Sequence, residues 1–300
     1  MNFISAHSGE FSALLVAIFW TVSALAFESA SNRLGSVAVN ILRLIVGFIF
    51  LSALTLVLRG NPLPTDASND NWLWLTLSGL IGFVFGDLFL FKSYTVIGSR
   101  FSMLIMTLVP PLTALFGWII MGERLTLLNY LGMTLTFSGI FIAIFSRGEG
   151  SERFKMKLAP IGVLYAFGGA VGQALGLVMS KFGMKDYDPF AATQIRIIAG
   201  IAGFTFLVTI LRRWSSVRAA LGNLKGMKSL TVGAFFGPFL GVSFSLLSVK
   251  YTKTGIASTI MALTPVFILL PATTLYKEKV TASELAGAII SVAGVALFFI

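Results

Sequence analysis

The second half of this chain repeats the first. Shifted by 155 residues, Trp72–Phe145 falls on Met227–Ile300 without a gap, and fifteen of the 74 pairs are identical. The identities include Gly82/Gly237, Gly86/Gly241, Phe89/Phe244, Pro110/Pro265, Glu123/Glu278, Thr126/Thr281, Gly132/Gly287 and Gly139/Gly294. Gly and Pro set backbone shape and Glu often marks helix ends, so these are not the matches that two apolar chains share by chance. Asn40–Gly47 (NILRLIVG) resembles Thr193–Gly200 (TQIRIIAG) at a slightly different offset, which makes Arg43 and Arg196 repeat-equivalent. The duplication predicts two units, 1–150 and 151–300.

Each unit is predicted to lie in a membrane. Only 11% of the residues are charged and 56% are hydrophobic, where a soluble domain is about a quarter charged. A membrane span needs about 20 mostly apolar residues. Ten segments qualify: 11–30, 37–58, 72–92, 101–121, 127–146, 159–180, 190–211, 229–249, 255–276 and 282–300. Five spans per repeat is an odd number, so the two copies must cross the membrane in opposite orientations. The expected fold is all-α and integral to the membrane, with ten transmembrane helices in two inverted five-helix repeats. Inverted repeats are the architecture of secondary transporters, which bind cargo near the midplane where the halves meet.

What is missing narrows the function classes. The longest loops, Arg59–Asn71 and Arg212–Lys228, and the polar joint Arg147–Lys157 are too short to hold a folded catalytic or regulatory domain. There is no cysteine, so disulfide, thiolate and Cys–metal chemistry are absent. The one histidine, His7, sits in a polar leader without a basic n-region, which does not read as a cleavable signal peptide. No phosphate-binding G-x-x-x-x-G-K-[ST], HExxH or Ser–His set occurs. The expectation is therefore no enzyme, no cofactor and no bound metal, with transport driven by a gradient of substrate or ion. The net charge of +10 fits loops facing anionic lipid rather than a nucleic-acid partner. Of the 22 basic residues, Arg59, Arg124, Lys181, Lys185, Lys250 and Lys253 lie on the face that holds both termini. Arg43 and Arg196 lie inside spans, and the remaining fourteen lie on the other face. The positive-inside rule places that second face in the cytoplasm.

The tail of each repeat carries a pattern. It reads Pro110-Pro111…Gly122-Glu123-Arg124-Leu125-Thr126…Gly132…Gly139 in the first copy and Pro265…Lys277-Glu278-Lys279-Val280-Thr281…Gly287…Gly294 in the second. This resembles the EamA-type repeat of the drug/metabolite transporter superfamily, and Trp20 matches that family's early tryptophan. Within the superfamily the chain looks most like YddG-type exporters of aromatic amino acids. The resemblance implies a transporter of the bacterial inner (plasma) membrane with both termini cytoplasmic, the opposite of the charge count. Lys277 departs from the pattern, standing where the first copy has Gly122.

Several residues are candidates for the transport path. Pro110, Pro111, Pro265 and Pro271 interrupt spans four and nine. A proline removes a helix hydrogen bond, which a membrane tolerates beside a cavity or a neighbouring helix. Pro110 and Pro265 are therefore expected hinges, with Met106, Thr107, Met261 and Thr264 beside them on the cavity wall. Small residues recur every four positions at Gly82 and Gly86, at Gly168, Gly172 and Gly176, and at Gly233, Gly237 and Gly241. Such spacing permits close helix approach, in static packing or in sliding contacts alike. Asp87 is an intramembrane carboxylate, expensive unless it has a use. It either holds a substrate amine or a proton, or it pairs with Lys92 or Arg43. Glu28 is a gate or an interfacial carboxylate. Arg43 and Arg196 can hold a substrate carboxylate, but their repeat equivalence favours a structural role. Trp20, Tyr94, Tyr165 and Gln173 offer aromatic faces and hydrogen bonds to a small amphiphile. Trp72, Trp74, Trp214 and Tyr276 read as belt residues at span ends, and Glu123 and Glu278 as helix caps.

These features together predict a secondary exporter of small metabolites, aromatic or other apolar amino acids, working by alternating access through a central cavity. Proton coupling and facilitated diffusion fit equally, and ten helices enclose a cavity without a second copy. The rival readings are a carrier of lipid- or nucleotide-linked sugars and an intramembrane enzyme or scaffold.

Overall fold

The computed structural model describes residues 3–146, 159–274 and 280–300. Among them the chain is helical, with no strand. Nine helices are long and apolar enough to cross a membrane, and a tenth, Val109–Met121, is shorter. Span one is Ser8–Leu34, span two Ser36–Arg59 and span three Asn69–Leu90. Span four ends in Val109–Met121, and span five is Leu127–Ser146. Spans six to ten are Pro160–Met184, Pro189–Ile210, Leu224–Tyr251, Thr254–Pro271 and Ala282–Phe299. Helix assignment runs unbroken over Asp87–Met106, yet Ser93 Oγ donates to Ser102 Oγ at 2.7 Å. Nine residues of straight helix would hold them about 13.5 Å apart. The chain therefore reverses between these two serines, which separates spans three and four where the sequence places the break.

Local signals set the helix ends. Ser68 caps span three and Thr281 caps span ten, each in a reciprocal capping box with the residue three positions on. Asp188 accepts from Ala191 N–H at the start of span seven, where Pro189 needs no donor partner. Gly60 and Gly122, both with positive φ, end spans two and four. Between spans seven and eight the short helix Trp214–Leu221 carries Trp214, one of the expected belt residues.

The inversion of the repeats can be read from one helix pair. Spans five and ten are repeat mates. Gly132 packs on Gly294, Thr136 on Ser291 and Gly139 on Gly287, so the two run antiparallel. Thr136 and Ser291 are themselves equivalents, and each hydroxyl reaches the other's carbonyl, at 3.4 and 3.3 Å. The pseudo-two-fold axis passes between them. The remaining neighbours obey the same axis. Span three packs on six as eight packs on one, two packs on its mate seven, and four on its mate nine. Ten crossings return the chain to its starting face, where Phe11 and Phe299 stack with centroids 5.3 Å apart.

Lipid gives no hydrophobic drive for helix association, so close packing must come from small residues. A Cβ placed on Gly172 would lie 2.8 Å from Gly86 Cα, and one on Gly176 would lie 2.8 Å from Gly82 Cα. The spaced glycines of spans three and six thus face one another in register. Their mates on span eight instead make room for side chains of span one: Gly233 for Phe27, Gly237 for Ser23 and Gly241 for Trp20. The outer surfaces stay apolar, with Val57, Phe206, Leu270 and Ile289 exposed.

The glycine contacts give a direct test. Gly172→Ala pushes a methyl into backbone, and overpacking of that kind costs about 1–3 kcal/mol. It is expected to lower the melting temperature of the purified protein in detergent. Gly222→Ala, whose added carbon would come no closer than 3.5 Å to its nearest neighbour, is expected to leave it unchanged.

Candidate substrate cavity

Two repeat-equivalent irregularities shape the middle of the molecule. The first is a wide π-helical turn at Leu80–Gly86 in span three and at Phe235–Gly241 in span eight, exactly one repeat length apart. Pro238 lies in the second copy and cannot donate to an α-helical partner. A π turn shifts the facing of all that follows it, and such turns concentrate at functional sites. The residues delivered next are Asp87 in one half and Val242 in the other. The second irregularity breaks spans four and nine. Helix stops at Met106 and resumes at Val109, and it stops at Met261 and resumes at Thr264. The breaks precede Pro110 and Pro265, whose rings displace the carbonyls of Met106 and Met261 four residues back. In span nine the Thr264 hydroxyl takes up the Met261 carbonyl at 3.0 Å.

Between these elements lies a cavity of about 340 Å³. Trp20, Met106, Thr107, Pro110, Gln173, Met261, Thr264 and Pro265 line it. So do Phe83, Leu90, Leu177 and Arg196. The wall is mostly apolar with a few polar groups, the chemistry of a small-molecule site. Asp87 is not on the wall. Its carboxylate is ion-paired to Arg43 and accepts from Gln173 Nε2 at 3.0 Å. Gln173 also donates to the Gly82 carbonyl of the π turn at 3.2 Å, so Asp87 meets the cavity only through Gln173. Tyr165 stands apart from the cavity, against Phe89 and under the Lys92 ammonium at 5.0 Å. Glu28 is exposed, in the half of span one near the face opposite the termini. The side chain of Tyr94 lies outside the described residues, as do Tyr276, Lys277, Glu278, Lys279 and the joint Arg147–Lys157.

The cavity is closed on the side of the termini. There spans four and nine touch: Ala114 packs on Gly255, and Ser258 Oγ donates to Thr113 Oγ1 at 3.3 Å. Beyond them Glu123 does more than end a helix. Its carboxylate accepts from Thr254 N–H at 2.8 Å and from the Thr254 hydroxyl at 2.7 Å, capping span nine from the other repeat. Lys181 of span six ion-pairs with it at 2.7 Å and donates to the Thr252 carbonyl at 2.8 Å. Asp70 meets Lys185, and Asp66 accepts from Tyr187 at 2.9 Å on the same face. Burial and the Asp66 carboxylate push the Tyr187 phenol up to about 12, so it remains a protonated donor at neutral pH.

Sequence reasoning missed this clamp because a glutamate in a short turn is explained well enough by capping its own neighbour. It also left Arg196 off the path. Repeat equivalence made Arg196 look like Arg43, whereas among the described residues Arg43 has a carboxylate partner and Arg196 has none. The signal was in the alignment: Asp87 has Val242 as its mate.

The fold and cavity define an integral membrane protein of two inverted five-helix repeats around a central small-molecule pocket. The chain belongs to the EamA-like transporter family, whose profile matches residues 7–145 and again 160–300. It is similar to a Bacillus subtilis (strain 168) protein described as "Uncharacterized transporter YvbV", with 31% identity over 196 residues and 63% of this chain covered. The match spans 59% of that relative's length. A solved crystal structure superposes with a TM-score of 0.74 over 97% of this chain and 95% of the other at 17% identity, a likeness of fold alone.

The clamp is testable because the chain has no native thiol. A charge-assisted hydrogen bond contributes about 1.5–3 kcal/mol. Lys181→Met, in a Ser258→Cys background, is expected to raise the rate of labelling by a water-soluble maleimide about tenfold. Lys225→Met, on the far face, is expected to leave it unchanged.

Proposed function

We propose that this protein is a secondary transporter that exports small metabolites, aromatic or other apolar amino acids, across the bacterial inner membrane by alternating access. The observation that carries the reading is the cavity between the repeats, lined by two broken helices and clamped at one mouth. Packing groups the spans into two bundles, three–four–six and eight–nine–one, each drawing on both repeats. The Glu123–Thr254 and Lys181–Thr252 bonds join one bundle to the other. In the proposed cycle the bundles rock about the spans five–ten axis. The clamp opens as the opposite mouth closes, and Pro110 and Pro265 absorb the bend.

The two mouths differ chemically. Spans one and six align at an offset of 153, since Gly86 meets Gln173 as Gly241 meets Trp20. On that alignment Lys181 has Glu28 as its mate, and Glu123 has Glu278. Among the described residues the opposite mouth therefore offers the Glu28 carboxylate where the terminal mouth has the Lys181 ammonium. A carboxylate there supports Glu28 as a gating group and protons as coupling ions. Lipid- or nucleotide-linked sugars bring a diphosphate, and among the described residues the cavity wall offers a single guanidinium, so the smaller cargo is favoured.

Flux of labelled L-phenylalanine into proteoliposomes, against empty liposomes, is expected to saturate and to respond to an imposed pH gradient. Absence of saturable flux for any amino acid, from folded protein, would overturn the cargo assignment. The Thr113→Cys/Ser258→Cys pair, oxidised to a disulfide, is expected to abolish flux, and reduction to restore it. Undiminished flux with complete cross-linking would sink the rocking cycle.

A further inference from the structure

The pseudo-symmetry relates two sets of three residues around the cavity. One set is Arg43, Asp87 and Gln173, in which the carboxylate is bonded by both partners. Its mate is Arg196, Val242 and Trp20, and all three of these line the cavity. The backbone geometry is kept, since both arginines occupy matching places on spans two and seven and both π turns deliver the third residue. What the second set lacks is the carboxylate.

Arg196 is left in an unusual position. It is 5% exposed and makes no ion pair among the described residues, and its Nε has no hydrogen-bond partner. Arg43 Nε is also without a partner, so the difference between the two lies in the missing carboxylate. The guanidinium stands over the Phe83 ring at 4.9 Å; Gly82 lets span three lie close against it, and Gly79 lies against the Arg196 backbone. An aromatic face only partly offsets the cost of a buried cation. Full compensation comes from an anion, and the planar guanidinium fork matches a carboxylate in particular. Trp20 Nε1 lies against Gly241 as Gln173 Nε2 lies against Gly86, so the indole N–H of this cavity residue stands in the place of the Gln173 donor.

We propose that the substrate's own carboxylate completes the second set, seated on Arg196 with the Trp20 N–H in the place that Asp87 fills in the first. The proposal deepens the transport reading and rests on its cavity. It makes the recognised group the carboxylate and not the amine, because among the described residues no acidic side chain lines the wall and Asp87 is already bonded twice. The cargo class is a small monocarboxylate with an apolar or aromatic body, for which a positive amine is dispensable.

The test compares 3-phenylpropionate, L-phenylalanine and phenethylamine, read as thermal shifts of purified protein and as inhibition of labelled L-phenylalanine flux. Both carboxylates are expected to bind and phenethylamine to fail. Arg196→Gln is expected to weaken carboxylate binding at least tenfold, with partial recovery in Arg196→Lys. Val242→Asp covers the case in which Arg196→Gln does not fold. It supplies the missing carboxylate internally, so it is expected to keep the protein folded and to abolish carboxylate binding with Arg196 intact. Equal binding of phenethylamine, full binding by Val242→Asp, or an Arg196-dependent shift given by chloride or phosphate and not by 3-phenylpropionate would each overturn the proposal. Saturable L-phenylalanine flux that ignores 3-phenylpropionate would sink this assignment and leave the transport reading standing. Arg196-dependent binding of 3-phenylpropionate without flux of any amino acid would do the reverse.

Discussion

Backbone-to-backbone approach across glycine is the constraint on which this structure depends. Between helices in lipid there is no water to exclude, so association rests on close dispersion contact and on interhelical hydrogen bonds. Gly139 and Gly287, and Gly132 and Gly294, bring spans five and ten together at the symmetry axis. The Thr136 and Ser291 hydroxyls then reach each other's carbonyls. The same principle seals span three on span six through Gly82, Gly86, Gly172 and Gly176. These contacts have no bulky interlocking side chains. Once formed, they hold the π turns and the broken helices at fixed depth, which is what gives the cavity its shape.

An inverted repeat held by symmetric contacts has two states of equal energy related by its pseudo-two-fold axis. Function therefore has to come from the places where the copies differ. The cavity shows this at three pairs: Asp87 against Val242, Trp20 against Gln173, and Thr107 against Ala262. The first two turn one side of the pocket into a closed polar cluster and the other into an open cationic wall. The two mouths show it again, at Lys181 and Glu28. A fold read only through its identities, such as Pro110/Pro265 or Met106/Met261, yields the machinery common to both states. The mismatches are where, in the proposed cycle, cargo recognition and a preference between the mouths arise.

Much of this was legible in the sequence, for physical reasons. Ten apolar runs fix ten spans because membrane thickness sets helix length. The odd number per repeat fixes inversion. Prolines inside spans four and nine mark the breaks, because no other residue both lacks an N–H and crowds the preceding turn. Cavity residues next to those prolines, Met106, Thr107, Met261 and Thr264, followed from proximity alone. The π turns were not legible, since Leu80–Gly86 has no proline and its register slip arises from packing on spans six and seven. Nor was the partner of Asp87. Lys92 lies on its own helix and was as near in sequence terms as Arg43 was far. Only the fold brings span two beside span three and picks Arg43 from the two partners the sequence offered.

The balance between clamp and cargo follows from magnitudes. The Glu123 cluster contributes two charge-assisted contacts across the bundles, Glu123 to Thr254 and Lys181 to Thr252. At about 1.5–3 kcal/mol each, they are enough to favour the closed terminal face by a hundredfold or more. A ligand shifts such an equilibrium only by its differential affinity for the two states. A bidentate carboxylate on a buried guanidinium is of the same order, so one bound cargo can offset the clamp without overwhelming it. A second internal carboxylate at Val242 would remove that leverage by neutralising Arg196 in both states. In the proposed cycle the valine at 242 leaves Arg196 without an internal carboxylate, and the energy of satisfying that cation with cargo is available to move the helices.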